Sequence, residues 1–131
     1  MNDLQGTVLL LDDDKFLLDM YSMKFEHEGF TVQACFSVHE ALECLRKGFK
    51  PDVVLFDLVM PEEDGFMFMQ KLRDEHLAED AVKIALTNQS SDSEKSKAIE
   101  LGTDNFIIKA TMIPSEVVST VQSAIRGKKS A

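Results

Sequence analysis

The strongest constraint on the fold is an alternation of two residue patterns. Four short runs, 7–12 (TVLLLD), 52–57 (DVVLFD), 82–87 (VKIALT) and 105–108 (NFII), are dominated by apolar and β-branched residues. That is how parallel strands covered on both faces read. A fifth run, 30–35 (FTVQAC), alternates and suits a strand nearer an edge. Between the runs the period changes to that of helices. Residues 15–28 place Leu17, Tyr21 and Phe25 on one stripe before Gly29, and 38–47 opens with the capping box Ser37-Val38-His39-Glu40 and stops at Gly48. A third helix is expected from about Asp64, with Phe66, Met69 and Leu72. A fourth, over about 91–101, has only Ala98, Ile99 and Leu101 as anchors and is expected to be the most loosely held. The fifth starts at Pro114 and repeats Val117, Val121 and Ile125. Strict alternation of strand and helix implies an α/β fold: a doubly wound, five-stranded parallel sheet with helices on both faces.

The 131 residues suffice for one domain, expected over 1–126 with a short frayed tail at 127–131. With 44% hydrophobic residues, a chain of this size holds a core without metal or disulfide staples. A formal charge of −9 repels phosphate backbones and anionic lipid, which argues against nucleic-acid and membrane partners. No apolar run approaches the roughly 20 residues of a membrane span, and the N-terminus does not resemble an export signal. The expectation is a soluble, cytoplasmic protein. Cys35 and Cys44 are too far apart in sequence for a redox pair and read as buried free thiols; His27, His39 and His76 read as isolated surface residues.

The chemistry collects at the strand ends. The first run finishes at Asp12-Asp13-Asp14, the third strand at Asp57, the fourth at Thr87, and Lys109 follows the fifth. In open parallel sheets the working site lies outside the carboxyl ends of the strands, so carboxylates, a hydroxyl and an ammonium converge there. Crowded carboxylates repel one another unless a cation compensates. A hard divalent ion such as Mg²⁺ is the natural compensation, and it is typically shared with a phosphoryl group. An Asp carboxylate can then act as nucleophile and form an acyl phosphate, with Thr and Lys steadying charge on the transferring oxygens.

Asp12-Asp13, the run Asp57-Leu58-Val59-Met60-Pro61 leading to Asp64-Gly65, Thr87 and Lys109, in this order and at these strand ends, resemble the receiver domain of two-component response regulators over about residues 6–126. The resemblance implies a CheY-like sheet of order 2-1-3-4-5. It implies that Asp57 is the phosphoacceptor, taking a phosphoryl group from a phosphohistidine of a sensor histidine kinase or a histidine phosphotransfer protein. It further implies that Asp13 is a direct Mg²⁺ ligand, that Asp12 acts largely through water, and that the Val59 backbone carbonyl is a third protein ligand. Lys109 would pair with the phosphoryl oxygens, Thr87 would be the switch hydroxyl, and Phe106 the aromatic residue whose rotamer follows it. The implied activity is that of a phosphoacceptor signalling domain that assists its own phosphotransfer and dephosphorylation. Its output would run through docking to an unidentified protein by the fourth helix, fifth strand and fifth helix, with phosphorylation-dependent homodimerisation left open. Only six residues follow Ile125, so the expectation is a stand-alone receiver.

Other residues have simpler readings. Asp14 reads as a solvated charge at a helix N-terminus, Asp64-Gly65 as a turn and N-cap, and Phe66-Met67-Phe68-Met69 as core with one partly exposed face. Two positions depart from the family pattern. Ala110 stands where Pro usually follows the lysine, so the 109–110 bond is expected to be trans, since a cis bond to Ala costs roughly 2.5–4 kcal/mol. Asn88 replaces a small residue beside the phosphoryl path, with slower phosphotransfer as the expectation.

Two alternatives use the same residues differently. Asp12-Asp13-Asp14 matches the D-x-D pattern of haloacid-dehalogenase-like phosphatases, but Phe16 stands where that family carries Thr or Val, and Asp57 has no role in that scheme. A pseudo-receiver, a binding module working without phosphorylation, draws support only from Ala110 and Asn88.

Overall fold

A computed structural model describes residues 6–58, 60, 64–87, 92–109 and 113–130, of which 128–130 are described by backbone alone. The elements run β1 (Gly6–Leu11), α1 (Lys15–His27), β2 (Phe30–Cys35), α2 (Val38–Arg46), β3 (Val53–Asp57), α3 (Gly65–Glu75), β4 (Val82–Thr87), α4 (Asp92–Glu100), β5 (Asn105–Ile108) and α5 (Pro114–Ser130). The five strands form one parallel sheet in the order β2-β1-β3-β4-β5, as the resemblance implied.

Each central strand divides its side chains between two cores, because successive residues of a strand point to opposite faces. Val8, Leu10, Val53, Leu55, Ile84, Leu86 and Ile107 face α1 and α5, whose contributions include Leu18, Tyr21, Phe25, Val117 and Ile125. Leu9, Leu11, Val54, Phe56 and Ala85 face the other way, against Ala41 and Leu42 of α2, Phe68 and Leu72 of α3, and Ala98 of α4. Every residue of β3 is buried. This explains why 53–56 reads as an unbroken apolar run rather than an alternating one.

Local signals set the helix ends. Asp14, Ser37 and Asp64 accept from the backbone N–H groups of Leu17, Glu40 and Met67 at the starts of α1, α2 and α3. The return arm of the α2 capping box reaches the N–H of Phe36, at 2.7 Å from Glu40 Oε1. Gly29, Gly48 and Gly102 take positive φ after α1, α2 and α4. At the end of α3 a non-glycine residue, His76, adopts the left-handed conformation with φ 56°. α5 continues to Ser130, past the expected end at Arg126. Gly127, near the C-terminal end, does not break it, since one glycine costs a helix only about 1 kcal/mol relative to Ala.

At the amino edge of the sheet two aspartates complete the hydrogen bonding of neighbouring strands. Asp52 Oδ2 accepts from the N–H of Thr7 at 2.9 Å, and Asp104 Oδ2 from the N–H of Lys83 at 2.8 Å. Cys35 is buried and Cys44 half-buried, both as free thiols, and the three histidines are exposed.

Candidate functional site: an acidic cluster at the carboxyl edge

Strand register assembles the site. Leu11 of β1 pairs with Phe56 of β3, and the next residue of each chain segment is an aspartate, so Asp12 and Asp57 leave the sheet side by side. Asp57 pairs with Leu86, which places Thr87 one step further along β4, and Thr87 pairs with Ile108, the residue before Lys109. The backbone is tied at each of these points. Asp12 N donates to Cys35 O at 3.2 Å, Leu58 N to Leu86 O at 3.1 Å, and Lys109 N to Thr87 O at 2.8 Å.

Asp12, Asp13 and Asp57 each present a carboxylate oxygen within 4.8 Å of the other two. Among the described residues no other three acidic, histidine or cysteine side chains converge in this way. Asp12 is 1% exposed and Asp57 6%, whereas Asp13 faces solvent. Lys109 Nζ reaches into the cluster, 2.7 Å from Asp12 Oδ2 and 3.0 Å from Asp57 Oδ2. Asp12 Oδ1 accepts from the N–H of Asp14 at 2.9 Å; Oδ2 is buried without an aligned hydrogen-bond donor and meets Lys109 as an ion pair. Burial pushes the Lys109 ammonium down, but the Asp12 and Asp57 carboxylates outweigh it and hold the group above the ordinary lysine value. Lys109 therefore stays charged at neutral pH.

Three carboxyl groups meet one ammonium in a largely buried place, and the donors are all oxygen. That set suits a hard divalent cation and not a soft one. Thr87, 2% exposed, stands at the rim on the Lys109 side, and Phe106 of β5 is half-buried against the core that includes Ala85. Tyr21 of α1 lies beneath: burial pushes its phenol up, with Lys109 opposing and Asp12 adding to the shift.

Sequence reasoning thus places Asp12, Asp13, Asp57, Thr87 and Lys109 at one end of the sheet, and the fold puts them there; Phe106, named through the resemblance, is the second residue of β5 and pairs with Ala85. The Val59 carbonyl, Asn88 and the 109–110 bond lie outside the described residues. One contributor was underestimated. Gly65, read as part of a turn, starts α3 directly against the acceptor strand: a Cβ there would stand 2.6 Å from Asp57 O and 2.8 Å from Leu58 Cα. Its N–H donates to Leu58 O at 3.0 Å. Asp14 and Asp64 are N-caps, as expected.

The family model of the response regulator receiver domain matches residues 8–122, and the chain belongs to that family. It is 29% identical over 122 residues to the regulatory protein VanR of Enterococcus faecium, covering 93% of this chain and 51% of that protein. It is 32% identical over 111 residues to the response regulator SaeR of Staphylococcus epidermidis, covering 85% of this chain and 46% of that one. The chain thus spans about half the length of these relatives. Among solved structures, the CheY-like receiver domain protein of Methanospirillum hungatei superposes with a TM-score of 0.87 at 23% identity, covering 98% of each chain, which speaks for the fold. Chemotaxis protein CheY4 of Vibrio cholerae gives 0.84 at 25% identity, covering 91% of this chain and 98% of that one. Receiver domains are signalling domains of two-component systems and generally bind Mg²⁺ at an acidic pocket. Among the described residues no helix is long and apolar enough to cross a membrane.

Proposed function

We propose that this chain is a phosphorylation switch in which Asp57 accepts a phosphoryl group from a phosphohistidine of a histidine kinase or phosphotransfer protein. The observation that carries this reading is the convergence of Asp12, Asp13 and Asp57 on Lys109 at the carboxyl edge of the sheet. A carboxylate oxygen of Asp57 attacks phosphorus, an O–P bond forms, the N–P bond to the donor imidazole breaks, and an acyl phosphate results. Lys109 Nζ, already 3.0 Å from Asp57, is positioned to stabilise charge on the phosphoryl oxygens.

Asp12, Asp13, Asp57 and the carbonyl of Val59 would hold Mg²⁺, which when bound neutralises the carboxylates and the entering phosphoryl charge. Asp12 and Asp57 face inward and orient; Asp13, exposed, is the carboxylate open to the mouth. Thr87 supplies the hydroxyl that bonds the phosphoryl group, with Phe106 following it, and Asn88 modulates access. Docking of an output protein, phosphorylation-dependent self-association, a cytoplasmic location and a receiver domain over 1–126 belong to the same reading.

Intact-mass analysis after incubation with Mg²⁺ and a small-molecule acyl phosphate tests it. One phosphoryl adduct, absent in Asp57→Asn, is the expected result. No adduct under conditions where Mg²⁺ binds would favour the phosphorylation-independent binding module.

A further inference from the structure

α4 is attached to the domain unlike any other helix. Ala98 is its one buried residue among those described, and Ile99, expected as an anchor, is 58% exposed. A groove of about 450 Å³ runs between α4 and α3 beside Met67 and Gln70, so the two helices do not interdigitate along their length. Two cationic side chains span the gap. Lys97 of α4 places Nζ 4.7 Å from the ring centroid of Phe66, in the first turn of α3. Arg73, in the last turn of α3, donates from Nη2 to the backbone carbonyl of Glu100 at 2.6 Å.

The second link has a specific role. The last carbonyls of a helix have no partner within it. In α4 those of Lys97, Ala98 and Ile99 accept from Leu101, Thr103 and Gly102 as the chain turns away. The carbonyl of Glu100 is taken by Arg73, whose guanidinium also meets the negative end of the helix dipole. α3, in turn, is fixed to the acceptor strand by three buried side chains, Phe68, Met69 and Leu72, and by the close seating of Gly65 on Asp57 and Leu58.

We propose that Arg73 and the Lys97–Phe66 pair form a latch that fastens α4 to α3, and through α3 to the strand carrying Asp57, so that α4 opens as a unit without the core unfolding. On the reading above, the latch links the two segments that leave the site after Asp57 and after Thr87. The test does not involve phosphorylation, so it succeeds or fails separately from that reading.

Amide hydrogen exchange resolved by residue in the full chain measures the latch. Lys97→Met removes the cation over the ring and should speed exchange across the hydrogen-bonded amides of α4 by about two- to fivefold. Arg73→Gln should speed it on the order of tenfold. Lys97→Arg keeps a cation over Phe66 and should leave exchange at the parent rate. In all three, amides of α2 should exchange as in the parent. An Arg73→Gln, Lys97→Met double variant whose α4 amides exchange at the parent rate would overturn the proposal. Equal acceleration of α2 and α4 would overturn it too, because opening would then be global.

Discussion

Lys109 Nζ stands 3.0 Å from Asp57 Oδ2, and the same ammonium lies 2.7 Å from Asp12. One cation thus bridges the two buried carboxylates of the site while Asp13 faces outward without it. The arrangement leaves more carboxylates than cations at the carboxyl edge of the sheet, and on the proposed reading a divalent ion should therefore stabilise the domain.

Mg²⁺ should raise the melting temperature. A ligand at ten times its Kd stabilises the native state by about 1.4 kcal/mol, which for a domain of this size is roughly 4–6 °C. Asp13→Asn should lose most of the shift while melting at or above the parent in the absence of metal, because it removes one repelling charge. Differential scanning calorimetry with and without millimolar Mg²⁺ checks both; an equal shift in the variant would show that the cluster is not the binding site.

Gly65→Ala should damage the site through the backbone. The new methyl group gains up to about 1 kcal/mol in helix propensity. It also enters a space where Asp57 O and Leu58 Cα stand at 2.6 and 2.8 Å, and overpacking against backbone costs about 1–3 kcal/mol. The clash wins. Urea denaturation should show a lower midpoint, and phosphorylation by a small donor should slow, because the displaced atoms belong to the acceptor residue.

Asp52→Ala should do the opposite: cost stability and spare the chemistry. Asp52 Oδ2 holds the N–H of Thr7 at the amino edge, at the far end of the strands from Asp57. Loss of a hydrogen bond to a charged acceptor costs about 1.5–3 kcal/mol. The expected outcome is a reduced denaturation midpoint with an unchanged phosphorylation rate per folded molecule.

The alkaline limb of the stability profile should carry the signature of Cys35. Burial pushes this thiol up to about 12, from 9.0 unfolded, with Cys44 and Glu40 adding to the shift. The unfolded chain therefore releases its proton first as pH rises, and stability falls from about pH 9.0 towards 12. Below pH 9.0 this group leaves stability flat. Cys35→Ala should lower stability at neutral pH but flatten the slope above pH 9; an unchanged slope would mean that the thiol ionises freely in the folded state. Lys109, held above its ordinary value, adds a loss at still higher pH, from about 10.5 upward.

The sheet and the site were legible because both are written in residue types that recur at strand scale. Four of the five apolar runs end in, or are followed at once by, a polar residue, namely Asp12, Asp57, Thr87 and Lys109, which states where each strand stops and what it delivers. Parallel register then brings those ends together with no further information. Other features left no such trace. The end of α3 carries no glycine, since His76 adopts the left-handed conformation itself, so nothing in the composition marks the stop. Asp52, read as the first residue of a strand run, and Asp104, just before another, show no role until the neighbouring strand's N–H is seen beside them. The latch joins Arg73 to Glu100 and Lys97 to Phe66, 27 and 31 residues apart, in a pattern no periodicity encodes, and Ile99, apolar by type, turned out to face solvent.

The central claim is that the phosphoryl group goes to Asp57 and not to a carboxylate of the Asp12-Asp13-Asp14 run. Borohydride reduction of the phosphorylated protein converts an aspartyl phosphate to homoserine, and peptide mass spectrometry then reads its position. Homoserine at 57 alone, dependent on Mg²⁺ and on Lys109, is the predicted result. Homoserine at 12 would contradict the account and return the chain to phosphatase-like chemistry on the first strand.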